Sequence, residues 1–306
     1  MKKVIVTGAT GFIGSALVKR LLADGVTVYG VDLDKNKLEA MRQYGDFIPV
    51  VAEFSDYGKL NELLPQESID VFFYLAWSGV SGANMSDNAV QWLNADIAFK
   101  TMCLADSFLH VKKFVFAGSS YEFKVEPIQI DGHQFFANSS IYGAAKHACR
   151  VMCEAYASTK RFFFNSFSFT NVFGLGDCSK RSTNLLIKQF QTGISPKLIQ
   201  GNHLHDWVYI DDAIEGILAV AEKGLPLKQY YIGARDLNTF AQIVTRVRDI
   251  LAPNINLEFG TYQDSSYIDY SRINLHELYS DTGFECKADF HESILKTAEW
   301  VKTLNV

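Results

Sequence analysis

The 306-residue chain has no run approaching the roughly 18 apolar residues of a membrane-spanning helix, although 48% of its residues are apolar. The longest candidate, Arg161-Phe-Phe-Phe-Asn-Ser-Phe-Ser-Phe-Thr170, is broken by polar residues and reads as a buried strand. A signal peptide is missing too: two lysines lead straight into a β-branched run and a glycine turn, so the expected compartment is the cytoplasm. No lysine-arginine cluster occurs and the formal net charge is −5, which argues against nucleic acid as a partner. Five cysteines are scattered at 103, 149, 153, 178 and 286. Cys149 and Cys153 stand one helical turn apart, but no second pair or histidine set completes a metal site, so reduced packing thiols are expected. Internal repeats, low-complexity tracts and long linkers are likewise absent.

What is present starts at the first residues. The short run Val4-Ile5-Val6 breaks into three glycines, Gly8, Gly11 and Gly14, spaced G-x-x-G-x-x-G, and an amphipathic run follows from Phe12 and Ile13 to Leu22. This is strand, glycine turn, helix. Such a turn brings backbone close to a pyrophosphate, and the helix behind it aims unpaired N–H groups and a positive dipole end at the phosphates. The next strand-like run, Val26 to Val31, ends on Asp32, 18 residues after Gly14. A carboxylate there takes the ribose hydroxyls of an adenosine and repels a 2′-phosphate, so NAD is expected over NADP.

Strands and helices then alternate. Strand-like runs at 47–52, 69–77, 113–117 and 162–170 are separated by helical stretches at 35–44, 57–64, 87–109 and 141–159. A polar loop is expected from Phe123 to Ser140, a further strand at 256–259, and a last helix at 291–304. The pattern predicts an α/β fold: a Rossmann-type doubly wound parallel sheet with a smaller C-terminal α/β lobe. Residues 1–172, with about 206–238 returning, are assigned to the dinucleotide domain; about 173–205 and 239–306 form the substrate-binding lobe.

Tyr142-Gly-Ala-Ala-Lys146 places a phenol and an ammonium one helical turn apart. Beside a nicotinamide, the lysine charge should lower the phenol pKa toward a range useful for proton transfer, with Ser119 at the end of the fifth strand polarising the reacting oxygen. A second copy of the spacing, Tyr156 and Lys160, falls where the helix must end to feed the sixth strand, at the wrong edge of a parallel sheet. Tyr156 is expected only to pack.

Thr7-Gly8-x-x-Gly11-x-x-Gly14, Asp32, Leu75-Ala76, Asn94, Ser119 and Tyr142-x-x-x-Lys146, in this order, resemble an extended short-chain dehydrogenase/reductase of the NAD-dependent epimerase/dehydratase family. The resemblance spans essentially the whole chain. It implies Gly8, Gly11, Phe12, Ile13 and Gly14 at the pyrophosphate, Asp32 at the ribose and Glu53-Phe54 at the adenine. It also implies Ala76, Trp77 and Asn94 at the cofactor, Ser119, Tyr142 and Lys146 as the catalytic set with Tyr142 and Lys146 also touching the cofactor, and Ser78 and Asn171 on the substrate side. Dehydratases of the family follow the catalytic Ser/Thr with an Asp-Glu pair, whereas Ser120-Tyr121 follow Ser119 here. Gly118-Ser-Ser-Tyr-Glu-Phe123 instead resembles a stretch of nucleotide-sugar 4-ketoreductases. His205 stands before Asp206, where relatives often carry an arginine for the substrate diphosphate.

The implied activity is an oxidoreductase acting at C4 of a nucleoside-diphosphate sugar, of 4-ketoreductase type. The alternatives are an NAD-dependent 4-epimerase and, in another class, a non-catalytic nucleotide-sensing regulator. A homodimer through helices 87–109 and 141–159 is implied by the resemblance alone.

Overall fold

The computed structural model describes every residue except 65, 66, 108, 139, 305 and 306. In chain order it builds β1 (Lys3–Thr7), α1 (Phe12–Ala23), β2 (Thr27–Asp32), α2 (Lys35–Met41), β3 (Phe47–Val51), α3 (Leu60–Leu63) and β4 (Ile69–Tyr74). There follow α4 (Asn88–Ser107), β5 (Val111–Ala117), the strands β6 (Lys124–Ile130) and β7 (His133–Ala137), α5 (Ile141–Lys160) and β8 (Phe163–Ser168). The remainder holds α6 (Ser182–Gln191), α7 (Ile210–Lys223), β9 (Gln229–Tyr231), α8 (Phe240–Leu251), α9 (Glu277–Thr282) and α10 (Phe290–Lys302).

Seven strands form one sheet in the order β9-β8-β5-β4-β1-β2-β3, and every pair in it is parallel. The expected doubly wound sheet is therefore present. Its strands are nearly continuous apolar runs because both faces are covered. Val4, Val6, Val71 and Phe73 pack with Leu17 and Leu21 of α1 and Ile214 and Ile217 of α7. Ile5, Phe72, Tyr74, Phe114 and Phe116 face the other way, onto Ala98 and Met102 of α4 and Cys149 and Cys153 of α5. The first of these cores runs on into Ile187, Val247 and Ile294 of α6, α8 and α10.

Strand order reverses between β1 and β4, the place where sheets of this kind bind ligands at their carboxyl ends. Thr7 marks it: its hydroxyl accepts the backbone N–H groups of Leu75 and Ala76, at 3.1 and 3.2 Å.

Three sequence expectations need correction. The segment from Phe123 to Ser140 is not a polar loop but a hairpin, in which β6 and β7 pair antiparallel from Glu126↔Ala137 to Ile130↔His133. Asp131-Gly132 turns it, a dipeptide suited to two-residue hairpins, and Tyr267–Ile268 adds a third strand beside Val125 and Lys124. The expected helix at 57–64 is a 3-10 turn, Phe54–Lys59, followed by the single turn α3. Residues 256–259 form no strand. No helix among the described residues is long and apolar enough to cross a membrane.

Candidate active site

The glycine turn is shaped by one close approach. A Cβ on Gly14 would stand 1.9 Å from the Gly8 carbonyl oxygen, so only glycine lets α1 start this near the end of β1. The turn is tied to the second strand by Gly8 N–H donating to Val31 O at 2.9 Å. Gly11 caps α1 without any side-chain hydrogen bond, which leaves the first-turn N–H groups of Phe12, Ile13 and Gly14 facing the crevice for an anion. Asp32 ends β2 beside this turn; its carboxylate accepts Thr10 N–H at 2.9 Å and Leu33 N–H at 2.7 Å. Asp32 pairs in register with Val51, which brings Glu53 and Phe54 to the same end of the sheet. A narrow anion cradle with a carboxylate beside it fits an adenine dinucleotide without a 2′-phosphate.

Tyr57 belongs to this corner and was not singled out in the sequence. It is buried against Phe54 and Tyr74, with ring centroids at 5.2 and 6.2 Å. Burial, with the Asp32 charge, raises its pKa strongly, against the Gly8 backbone.

The loop after β4 is held from behind by α4. Asn94, fully buried, accepts Ser78 N–H at 2.8 Å and donates to Ser78 O and Val90 O, both at 2.9 Å. Asn94 thus has both its amide hydrogens engaged on protein backbone and fixes the loop that carries Ala76, Trp77 and Ser78. Gln91, equally buried, accepts the Trp77 indole N–H at 2.8 Å and donates to Gly79 O and Asn84 O.

Ser119, Tyr142 and Lys146 converge at the carboxyl end of β5. Ser119 begins a 3-10 turn (Ser120–Phe123) and caps it, accepting Tyr121 N–H at 3.2 Å. Tyr142 lies in the first turn of α5, whose N-cap is Ser140. The phenol sits edge-on to Trp77 at 6.3 Å and Tyr121 at 5.8 Å, with the Ser119 side chain close enough to lower its pKa. Lys146 Nζ donates to Ala117 O at 2.6 Å and lies 3.8 Å from the centre of the Trp77 ring.

Without a cofactor, the Tyr142 shift runs opposite to the one expected beside a nicotinamide. Burial pushes its pKa up to about 12, opposed by the Ser119 side chain and the Arg181 charge. Burial lowers the Lys146 ammonium pKa to about 7, opposed by Cys149 and Glu122. Tyr142 therefore holds its proton at neutral pH in the unliganded protein. Tyr156, at the other end of α5, donates to Asp106 at 2.9 Å and packs edge-on against Phe99; it is a packing residue.

On the substrate side, Asn171 follows β8 and donates to Thr183 Oγ1 of α6 at 2.8 Å. This anchors the start of α6, where Arg181 is the exposed N-cap residue. His205 pairs in register with Asn238 and packs against His203 and Phe240. Burial, followed by the His203 charge, lowers its pKa to about 4, and its Nδ1 finds no hydrogen-bond partner among the described residues. His205 is thus a neutral hydrogen-bonding group at pH 7 and supplies no positive charge in place of an arginine. Asp206 beside it accepts Tyr231 Oη and Ala234 N–H, both at 2.9 Å; burial raises its pKa to about 6.

The sequence profile of the NAD dependent epimerase/dehydratase family matches residues 4–233. The chain is 26% identical over 285 residues to the Bacillus subtilis protein named uncharacterized UDP-glucose epimerase YtcB, covering 84% of this chain and 85% of that one. It superposes on UDP-N-acetylglucosamine 4-epimerase of Methanobrevibacter ruminantium, solved with UDP-N-acetylmuramic acid, with a TM-score of 0.81 at 21% identity, covering 99% and 98% of the two chains. The Bordetella bronchiseptica enzyme WbmF, solved with NADH, gives 0.79 at 22% identity over 99% and 92%. These two likenesses establish the fold. The family match takes in the glycine turn, Asp32, Ser119 and the Tyr142/Lys146 pair together, and the chain belongs to the NAD dependent epimerase/dehydratase family.

Proposed function

We propose that this enzyme is an NAD-dependent oxidoreductase acting at C4 of a nucleoside-diphosphate sugar, of 4-ketoreductase type. Membership of a family of epimerases and dehydratases stands against the non-catalytic regulator. The observation that carries the reductase reading is the stretch after β5, where Ser120-Tyr121 follow Ser119 in place of the dehydratases' Asp-Glu pair, with Tyr142, a phenol that holds its proton, at the same carboxyl end of the sheet. In a reduction that proton goes to the carbonyl oxygen at C4 as it becomes a hydroxyl, while Ser119 holds the same oxygen. Lys146 orients the site from behind and compensates charge as the phenolate forms.

Gly8, Gly11, Phe12, Ile13 and Gly14 are assigned to the pyrophosphate, Asp32, Glu53 and Phe54 to the adenosine half, and Ala76, Trp77 and Lys146 to the nicotinamide half. When bound, the nicotinamide supplies the hydride. Segments 173–205 and 239–306 are assigned to the nucleotide sugar, with Ser78, Asn171 and a hydrogen-bonding His205 facing it. Arg181 provides positive charge near the phenol.

A 4-epimerase is the second reading, supported by Asp32 at the ribose position and by the epimerase name of one relative. The dinucleotide extracted from purified protein separates the two. A reductase exchanges it freely with the medium, whereas an epimerase keeps tightly bound NAD through many turnovers.

Two copies are assigned to pair through α4 and α5, which expose Leu93, Val151 and Met152. Light scattering at micromolar concentration should return twice the mass of one chain; a monomer refutes this.

A further inference from the structure

Glu122 and Arg150 have no part in the chemistry assigned so far, yet their side chains are only 0% and 10% exposed. Charged groups this deep require partners. Glu122 Oε1 accepts the backbone N–H of Ser119 at 3.0 Å, and Oε2 accepts Arg150 Nε at 2.8 Å. Arg150 also donates to Glu154 Oε1 at 2.6 Å and lies 3.1 Å from His147 Nδ1, which is itself 3.5 Å from Glu122 Oε2. One carboxylate thus joins the turn that carries Ser119 to the helix that carries Tyr142 and Lys146.

The backbone closes the same seam. A Cβ on Gly143, the residue after Tyr142, would stand 2.1 Å from the Tyr121 carbonyl oxygen. The turn and the helix are therefore in direct backbone contact beside the phenol. Apolar residues of equal volume can fill such a seam with no loss of stability, but they do not set a direction. A carboxylate bonded at both oxygens fixes both distance and angle.

We propose that the Glu122–Arg150 pair is a positioning clamp that holds the Ser119 hydroxyl against the Tyr142 phenol. This rests on the proposed assignment of Ser119 and Tyr142 as the reacting pair. Neither clamp residue touches substrate; both act through Ser119 and α5. The charge of Glu122 also reaches the site, where it raises the pKa of both Tyr142 and Lys146. The groups that share this space are Ser119 and Tyr121 on the turn, Arg181 before α6, and Cys149 beside Lys146. His147 and Arg150 face Glu122 itself.

Glu122→Gln keeps the shape and the acceptor for Ser119 N–H but removes the ion pair. Misplacement of a reacting group by an ångström costs on the order of a hundredfold in rate, so kcat should fall roughly tenfold to a hundredfold while KM stays within about threefold. The limb of the pH–rate profile set by Tyr142 should move to lower pH, because a negative charge beside the phenol has been lost. A purely structural role would not move that limb. Arg150→Lys should restore most of the rate lost in Arg150→Met.

If Glu122→Gln does not fold, Glu122→Gln/Arg150→Met removes both charges together and carries the same expectation for kcat and KM, with the Ser119 turn no longer held to α5 by the ion pair. Folded variants with kcat within about twofold of the parent and an unmoved limb overturn the clamp. If the parent turns over no 4-keto nucleotide sugar, the activity reading has failed instead. The clamp is then judged from a crystal structure of Glu122→Gln, in which an unmoved Ser119 hydroxyl and Tyr142 phenol overturn it and a displaced turn supports it.

Discussion

Tyr142→Phe should lower kcat by roughly two orders of magnitude or more while leaving dinucleotide affinity near the parent value, on the usual size of acid-base contributions. The ring itself is a packing element, edge-on to Trp77 at 6.3 Å and to Tyr121 at 5.8 Å, and phenylalanine preserves both contacts. What is lost is one hydroxyl: the polar neighbour of the Ser119 side chain and a proton that burial holds on a group of pKa about 12. Because the group is protonated in the resting protein, reduction draws on it directly. Oxidation of an alcohol must first ionise it, so the reverse direction should gain more from alkaline pH. Steady-state kinetics with calorimetric titration of NADH checks both halves of the expectation. Parent-like turnover by Tyr142→Phe removes the proposed mechanism.

Gly14→Ala is expected to have the second largest effect, on cofactor binding and on stability together. The added methyl falls 1.9 Å from the Gly8 carbonyl oxygen and 3.2 Å from Ala9 Cα, both of them backbone. No side chain can swing aside, so α1 must move away from the end of β1. Overpacking of this kind costs about 1–3 kcal/mol where neighbours can relax, and relaxation here opens the cradle itself. Since about 1.4 kcal/mol is a factor of ten in affinity, the Kd for NADH should rise at least tenfold. The melting temperature should fall as well. Gly58→Ala serves as the control: a Cβ there meets nothing within 4 Å, and neither quantity should change. Equal behaviour of the two variants would mean that α1 does not owe its placement to the third glycine.

What the sequence made legible is the spine of local motifs. Glycine spacing, the carboxylate at the end of the second strand and the i, i+4 pair on α5 each stand at a separation that regular geometry dictates. Position relative to the sheet also separated Tyr142 from Tyr156, whose hydroxyl goes to Asp106 on α4. The residues missed act across long sequence distances. Arg150 meets Glu122 from 28 positions away, and Trp77 meets Gln91 from 14; no spacing rule joins them.

The hairpin β6–β7 was hidden because Lys124, Glu126 and Gln129 blur its alternation, although Asp131-Gly132 was a usable signal. The direction of the Tyr142 shift without a cofactor was not legible for a simpler reason. Helical spacing places Lys146 one turn away, but it does not reveal that the ammonium is buried and bonded to Ala117. Desolvation then governs both groups.

The most direct test of the account mixes the purified enzyme with NADH and a nucleoside-diphosphate 4-keto hexose, and follows reduced nicotinamide and sugar product together. The account predicts one NADH consumed for each hydroxyl formed at C4, with the same stoichiometry over many turnovers. Interconversion of C4 stereoisomers with no net consumption of added NADH would contradict it, and would make the enzyme an epimerase.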